Sequence, residues 1–148
     1  MSRLICKLVL TSFLAIIPFT PAHAGGAHVA VTGPHADGFY HVETLDCGER
    51  GDYGVEVHAE GRVQGTRRSS VLRLVPTSER GLWTLRPLRK PAGDWVLRFT
   101  ARRHGQTVTT IAPLGRDGRI GETALAFGGD GRRECDHALA LMAKPANR

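Results

Sequence analysis

The chain has 148 residues, 20 of them Lys or Arg against 14 Asp or Glu, for a formal charge of +6. That length supports one domain around one core. With 41% hydrophobic residues and 23% charged ones, the composition excludes a chain too polar to fold.

The N-terminus reads MSRLICKLVLTSFLAIIPFTPAHAGG. Arg3 and Lys7 form a short basic region, Leu8 to Phe19 an apolar run, and Ala22-x-Ala24 supplies small residues for cleavage. This is the three-part pattern of a secretory signal peptide, expected over residues 1–24. Cys6 precedes the apolar run and so does not fit a lipid attachment site. Processing removes two basic residues and no acid, leaving a charge of 18 − 14 = +4. No later apolar stretch reaches spanning length, so the expected product is periplasmic or secreted, with no transmembrane segment.

From residue 25 on, short apolar alternations are separated by turn signals. YGVEVHAEG puts Tyr53, Val55, Val57 and Ala59 on one face and Glu56, His58 and Glu60 on the other. GDWVLRFTAR puts Trp95, Leu97, Phe99 and Ala101 opposite Val96, Arg98, Thr100 and Arg102. A period of two with one apolar face predicts half-buried antiparallel strands. Weaker runs at 28–32, 39–45, 70–75, 82–86 and 107–112 are further strands. Turns are expected at Gly33-Pro34, Gly48 to Asp52, Gly65-Thr66, Pro76 to Gly81, Pro91 to Asp94, His104-Gly105 and Arg116 to Gly118. The pattern predicts an all-β fold, a single antiparallel immunoglobulin-like β-sandwich over residues 25–143. CDHALALMAK near the end fits a last strand or a short helix, followed by a frayed tail at 144–148.

Trp83 and Trp95 each follow a Gly-x dipeptide and share a face with aliphatic residues. That placement predicts pins at strand entrances rather than the exposed platform of a carbohydrate-binding module, which is the alternative reading. Residues 81–102, GLWTLRPLRKPAGDWVLRFTAR, follow VHAEGRVQGTRRSSVLRLVPTSERG. Together they resemble small exported bacterial β-sandwich proteins of the YtkA-like and FixH-like kind, and more distantly the CopC-type copper sandwiches. The resemblance spans about residues 53–120. It implies the sandwich, and says little of activity because it rests on structural residues.

Candidate chemistry is sparse. Cys47 and Cys135 are the cysteines left after processing, and an oxidising compartment makes a disulfide between them the expectation. Such a bridge would contribute on the order of 4 kcal/mol. Histidines are the expected ligands if copper or zinc binds: His23, His28, His41 and His58. CopC-type proteins use an N-terminal histidine, and cleavage after Ala22 would make His23 the first residue. Cleavage after Ala24 fits the small-residue rule better. Methionine-rich Cu(I) stretches are missing, since Met142 is the one methionine beyond the leader.

Charge is segregated. Residues 43–60 hold six acids against Arg50, and residues 86–103 hold six basic residues against Asp94. A basic face of Arg86, Arg98, Arg102 and Arg103 would suit a protein or an anionic envelope surface, not nucleic acid. The alternative is that neighbouring strands pair the two patches. No nucleophile elbow, zinc-protease helix or phosphate loop occurs, and GGDGR at 128–132 lacks the spaced acids of a calcium loop. The expected function is a non-catalytic binding or accessory module with no cofactor.

Overall fold

The computed structural model of the chain describes residues 26–88, 93–127 and 130–143. The leader with His23, and the tail at 144–148, lie outside the described residues. Among the described residues, ten strands and one helix follow in chain order: β1 (His28–Thr32), β2 (Tyr40–Asp46), β3 (Glu49–Arg50), β4 (Gly54–Val63), β5 (Thr66–Leu72), β6 (Leu74–Pro76), β7 (Leu82–Leu85), β8 (Asp94–Arg103), β9 (Gln106–Leu114), β10 (Ala124–Phe127) and α1 (Arg132–Met142). They form two antiparallel sheets. One runs β1-β2-β7-β6, with β3 added beside β2, and the other runs β10-β9-β8-β4-β5. The all-β sandwich is thus the observed architecture. None of the described helices is long and apolar enough to cross a membrane.

The alternating runs bury the faces that their period dictates. Tyr40 and Val42 of β2 meet Val57 and Ala59 of β4, and Leu97, Phe99 and Ala101 of β8, in one cluster. Phe99, Val42 and Ala59 are fully shielded from solvent. Burial of each large side chain contributes roughly 1.5–3 kcal/mol to the sandwich.

Trp95 is buried in this interior, and Trp83 is half-buried against it. Trp95 lies directly across from Gly61 of β4, and its indole occupies the space where any other residue would carry a Cβ. A Cβ built on Gly61 would stand 2.4 Å from Trp95 Cδ2. Trp83 sits between Val42 and Pro76 in its sheet and packs against the same core.

The last segment is a helix, and it changes the role of the second sheet. On a two-layer sandwich the outer face of β8 would be wet. Instead Cys135 and Leu139 of α1 cover Val96 and Ile111, forming a small second cluster on the far side of that sheet. Val96 and Thr100, expected on an outward face, are therefore buried.

The disulfide expectation is corrected by the same feature. Cys47 is exposed in the tight turn between β2 and β3, and Cys135 is buried under α1, both as free thiols. Cys135 lies on the outer face of the second sheet, and Cys47 belongs to the first. A whole β-layer separates them, and even cysteine number carries no information about that.

Burial pushes the Cys135 thiol up to about 11 from 9.0, with nearby Arg98 partly opposing the rise. The unfolded chain releases this proton first as pH rises. Stability should therefore fall between pH 9 and 11 by up to about 3 kcal/mol. Denaturant titrations across that window should show the fall, and Cys135→Ala should flatten it. A thiol reagent on the native protein should label Cys47 and reach Cys135 only after unfolding.

Candidate functional site

Functional side chains gather on the outer face of β4 and β8 and along the β4–β5 hairpin. The acidic stretch and the basic stretch of the sequence become hydrogen-bonded neighbours here, with His58 opposite Arg98 and Glu56 opposite Thr100. Cross-strand proximity then pairs opposite charges. Arg98 donates to Glu60 at 3.2 Å and to the Asp130 carbonyl at 3.3 Å. Arg102 donates to Glu56 at 3.2 Å, and His58 Nε2 donates to the other Glu56 oxygen at 2.8 Å. The hydrogen bond from His58, followed by that from Arg102, holds the Glu56 carboxyl below its usual range.

Beneath α1 this pairing becomes a network. Glu60 is nearly buried and lies between Arg98 and Arg67, with Arg67 also donating to Asp136 of α1 at 2.9 Å. Three strands are thus tied through the Glu60 carboxylate, and Arg67 links them to the helix through Asp136. The network is incomplete: Arg98 Nε and Thr100 Oγ1 are buried without a hydrogen-bond partner among the described residues.

The remaining arginines of the expected basic face are also engaged. Arg103 faces Asp46 at 3.5 Å and lies over the Tyr53 ring, with 5.5 Å to its centroid. Arg86 lies over Phe39 at 5.9 Å. Arg98, Arg102 and Arg103 thus lie against acids, whereas Arg86 is exposed and meets the Phe39 ring. The pairing alternative is what the strand order produces.

Of the four expected ligands, His23 lies outside the described residues, and His28, His41 and His58 are not brought together. His28 opens β1, with Nδ1 3.2 Å from the Gly26 carbonyl. His41 on β2 stacks against His35, with ring centroids 4.1 Å apart, and lies 3.9 Å from Asp37. His58 is on the other sheet and is committed to Glu56. Among the described residues, no group of three or more His, Cys, Asp or Glu side chains forms a metal-holding arrangement.

Two features escape a reading of the sequence. One is a cleft of about 440 Å³ at an end of the sandwich, floored by Tyr40, Trp95 and Leu114 and rimmed by Arg116 and Asp117. The other is β5, whose first six residues, Thr66 to Val71, are all exposed. TRRSSVL has no apolar alternation, and that absence was the available signal. Neither sheet covers either face of an edge strand that overhangs the core. Arg62, Arg68 and Arg73 are exposed on or beside this hairpin and make no ion pair among the described residues. Val71 is 66% exposed and Val75, on neighbouring β6, is 47% exposed.

Comparison of the chain with protein-family models, curated proteins and solved structures gives no match.

Proposed function

We propose that the chain is an exported, non-catalytic β-sandwich module that acts by engaging a protein partner outside the cytoplasm. The leader pattern of residues 1–24 supports export. One observation carries the partner reading. Arg98 and Arg102 are paired with neighbouring acids, whereas exposed Arg62, Arg68 and Arg73, on and beside the β4–β5 hairpin, make no ion pair among the described residues. Val71 and Val75 are exposed on the strands that follow that turn. Cationic groups interleaved with apolar side chains favour an acidic polypeptide, where charge steers and apolar contact holds.

Poly-glutamate serves as a probe of this surface. The processed protein should bind it at low salt and weaken roughly tenfold or more as salt rises through the physiological range. The triple substitution of Arg62, Arg68 and Arg73 by Ala should abolish the binding. Arg102→Ala should leave it nearly unchanged, because that side chain already faces Glu56. Salt-insensitive binding, or equal loss in both variants, would overturn the reading.

A further inference from the structure

We propose that the outer edge of β5 is a strand-addition site for an extended, acidic segment of the partner. The proposal rests on the partner-binding reading above and adds the mode of binding and the chemistry of the segment.

The backbone carries the argument. β4 and β5 are joined by the two-residue turn Gln64-Gly65, both residues with positive φ (50° and 78°), as a tight hairpin requires. Val63 and Thr66 close the hairpin as a hydrogen-bonded pair. In an antiparallel ladder such pairs alternate with non-bonded ones. Arg68, Ser70 and Leu72 therefore bond back to Gly61, Ala59 and Val57. Arg67, Ser69 and Val71 point their N–H and C=O groups away from β4.

The opposite side of the sheet leads to the same assignment. The β8–β9 hairpin turns at His104-Gly105, with φ of 47° and 80°, and closes at Arg103 and Gln106. Alternation then directs Arg102, Thr100, Arg98 and Val96 to Gly54, Glu56, His58 and Glu60. This leaves Val57, Ala59, Gly61 and Val63 of β4 to face β5, as the first count requires.

Among the described residues β5 is the terminal strand of its sheet. It thus offers three outward N–H and three outward C=O groups on a strand of regular register. Natural edges are often closed by proline, a bulge or a covering element, and Thr66–Leu72 holds no proline and runs in unbroken register.

Charge selects the occupant. An added strand would lie beside Arg68 and Arg73, which make no ion pair among the described residues, with Arg62 one strand further in; Arg67 is already held by Glu60 and Asp136. Acidic side chains at alternate positions would share the face of Arg68, and the intervening positions would share the face of Val71, where an apolar side chain fits. A second copy pairing through β5 would instead bring a second set of unpaired arginines alongside the first, which disfavours self-association.

The probe is a synthetic peptide of about ten residues alternating Glu with Thr, with a Lys-for-Glu peptide as control. Ten residues match the usual length of a long strand. Amide hydrogen exchange on the processed protein is expected to slow roughly tenfold or more at Arg67, Ser69 and Val71 when the acidic peptide is bound. Arg68 and Ser70, already bonded to β4, should be unchanged. Ser69→Pro removes one outward N–H and leaves the β4 ladder intact, so binding should fall roughly tenfold while the thermal midpoint holds.

The exposed pair Arg68→Glu with Arg73→Glu should shift preference to the Lys peptide, and gives a test independent of the proline. Slowed exchange elsewhere, with β5 unaffected, would overturn the edge assignment and leave the partner reading intact. Failure of both this peptide and poly-glutamate to bind would overturn both. Self-association that Ser69→Pro abolishes would overturn the acidic partner in favour of a second copy.

Discussion

Gly61→Val is expected to lower stability by about 3–5 kcal/mol, close to what removing a buried tryptophan costs. Gly61 faces inward on β4, and its missing side chain is the slot that receives Trp95. An added Cβ would stand 2.4 Å from Cδ2 and 2.5 Å from Cε3 of the indole. These are ring atoms of a side chain only 9% exposed, so they cannot swing aside as a lysine tip could. The ring must leave its slot, and the strand loses both packing and the burial of the indole. For a domain of this size the melting temperature should fall by roughly 10 °C or more. Gly54→Val, on the same strand, is the control. Its Cβ would meet only the Arg102 carbonyl at 3.8 Å, and a β-branched residue suits a strand. Its effect should stay within about 1 kcal/mol. Equal losses in the two variants would show that Trp95 does not rest on Gly61.

Glu60→Gln is expected to cost about 3 kcal/mol, as breaking a buried ion pair does. The Glu60 side chain is 7% exposed and Arg98 16%, so removing the carboxylate charge strands a guanidinium that water barely reaches. Arg98 Nε already lacks a partner, and no other acid pairs with this side chain among the described residues. Arg67, at 42% exposure, can turn to solvent and should add little to the loss. Urea unfolding of Glu60→Gln checks the magnitude. Replacing the pair together, Glu60→Leu with Arg98→Met, should recover most of the stability, because an apolar pair leaves no uncompensated charge. If the double variant is no better than Glu60→Gln, the loss comes from disturbed packing and not from the stranded cation. The double variant also tests the anchoring of α1. The network joins that helix to the sheet through Asp136, and the loss of Glu60 should make the α1 amides exchange faster.

Much of the fold was legible because β-strands write their burial into a two-residue period. The faces carrying Val57, Ala59, Leu97, Phe99 and Ala101 follow from alternation alone, and all five are buried. Trp95 follows the same rule, while Trp83, on the face of Leu85, is half-buried against the core. Other elements carried no such mark. Two-residue β3 is too short to show a period. The tail alternated and also favoured helix, and only its packing on Val96 and Ile111 decided between them.

The candidate site was legible in its parts and not in its arrangement. Segregated charge at 43–60 and 86–103 is plain in the composition. Whether it forms an open basic face or closes on itself depends on strand order, which local sequence does not encode. With β4 hydrogen-bonded to β8, Arg98 and Arg102 fall beside Glu60 and Glu56, and Arg62, Arg68 and Arg73, which make no ion pair among the described residues, are found on and beside the β4–β5 hairpin. The cysteines teach the same lesson, since Cys47 and Cys135 are separated by a sheet that only the folded topology interposes.

The sequence by itself determined what local periodicity and steric rules can specify: an all-β chain, the inward faces of β4 and β8, and turns at Gly65 and His104-Gly105. Tertiary structure decided which strands became neighbours, where the helix came to lie, and therefore which charges were cancelled and which edge stayed open. The physical reason is that side-chain direction is set over two residues, whereas pairing partners are chosen by whole faces that meet only once the chain has folded.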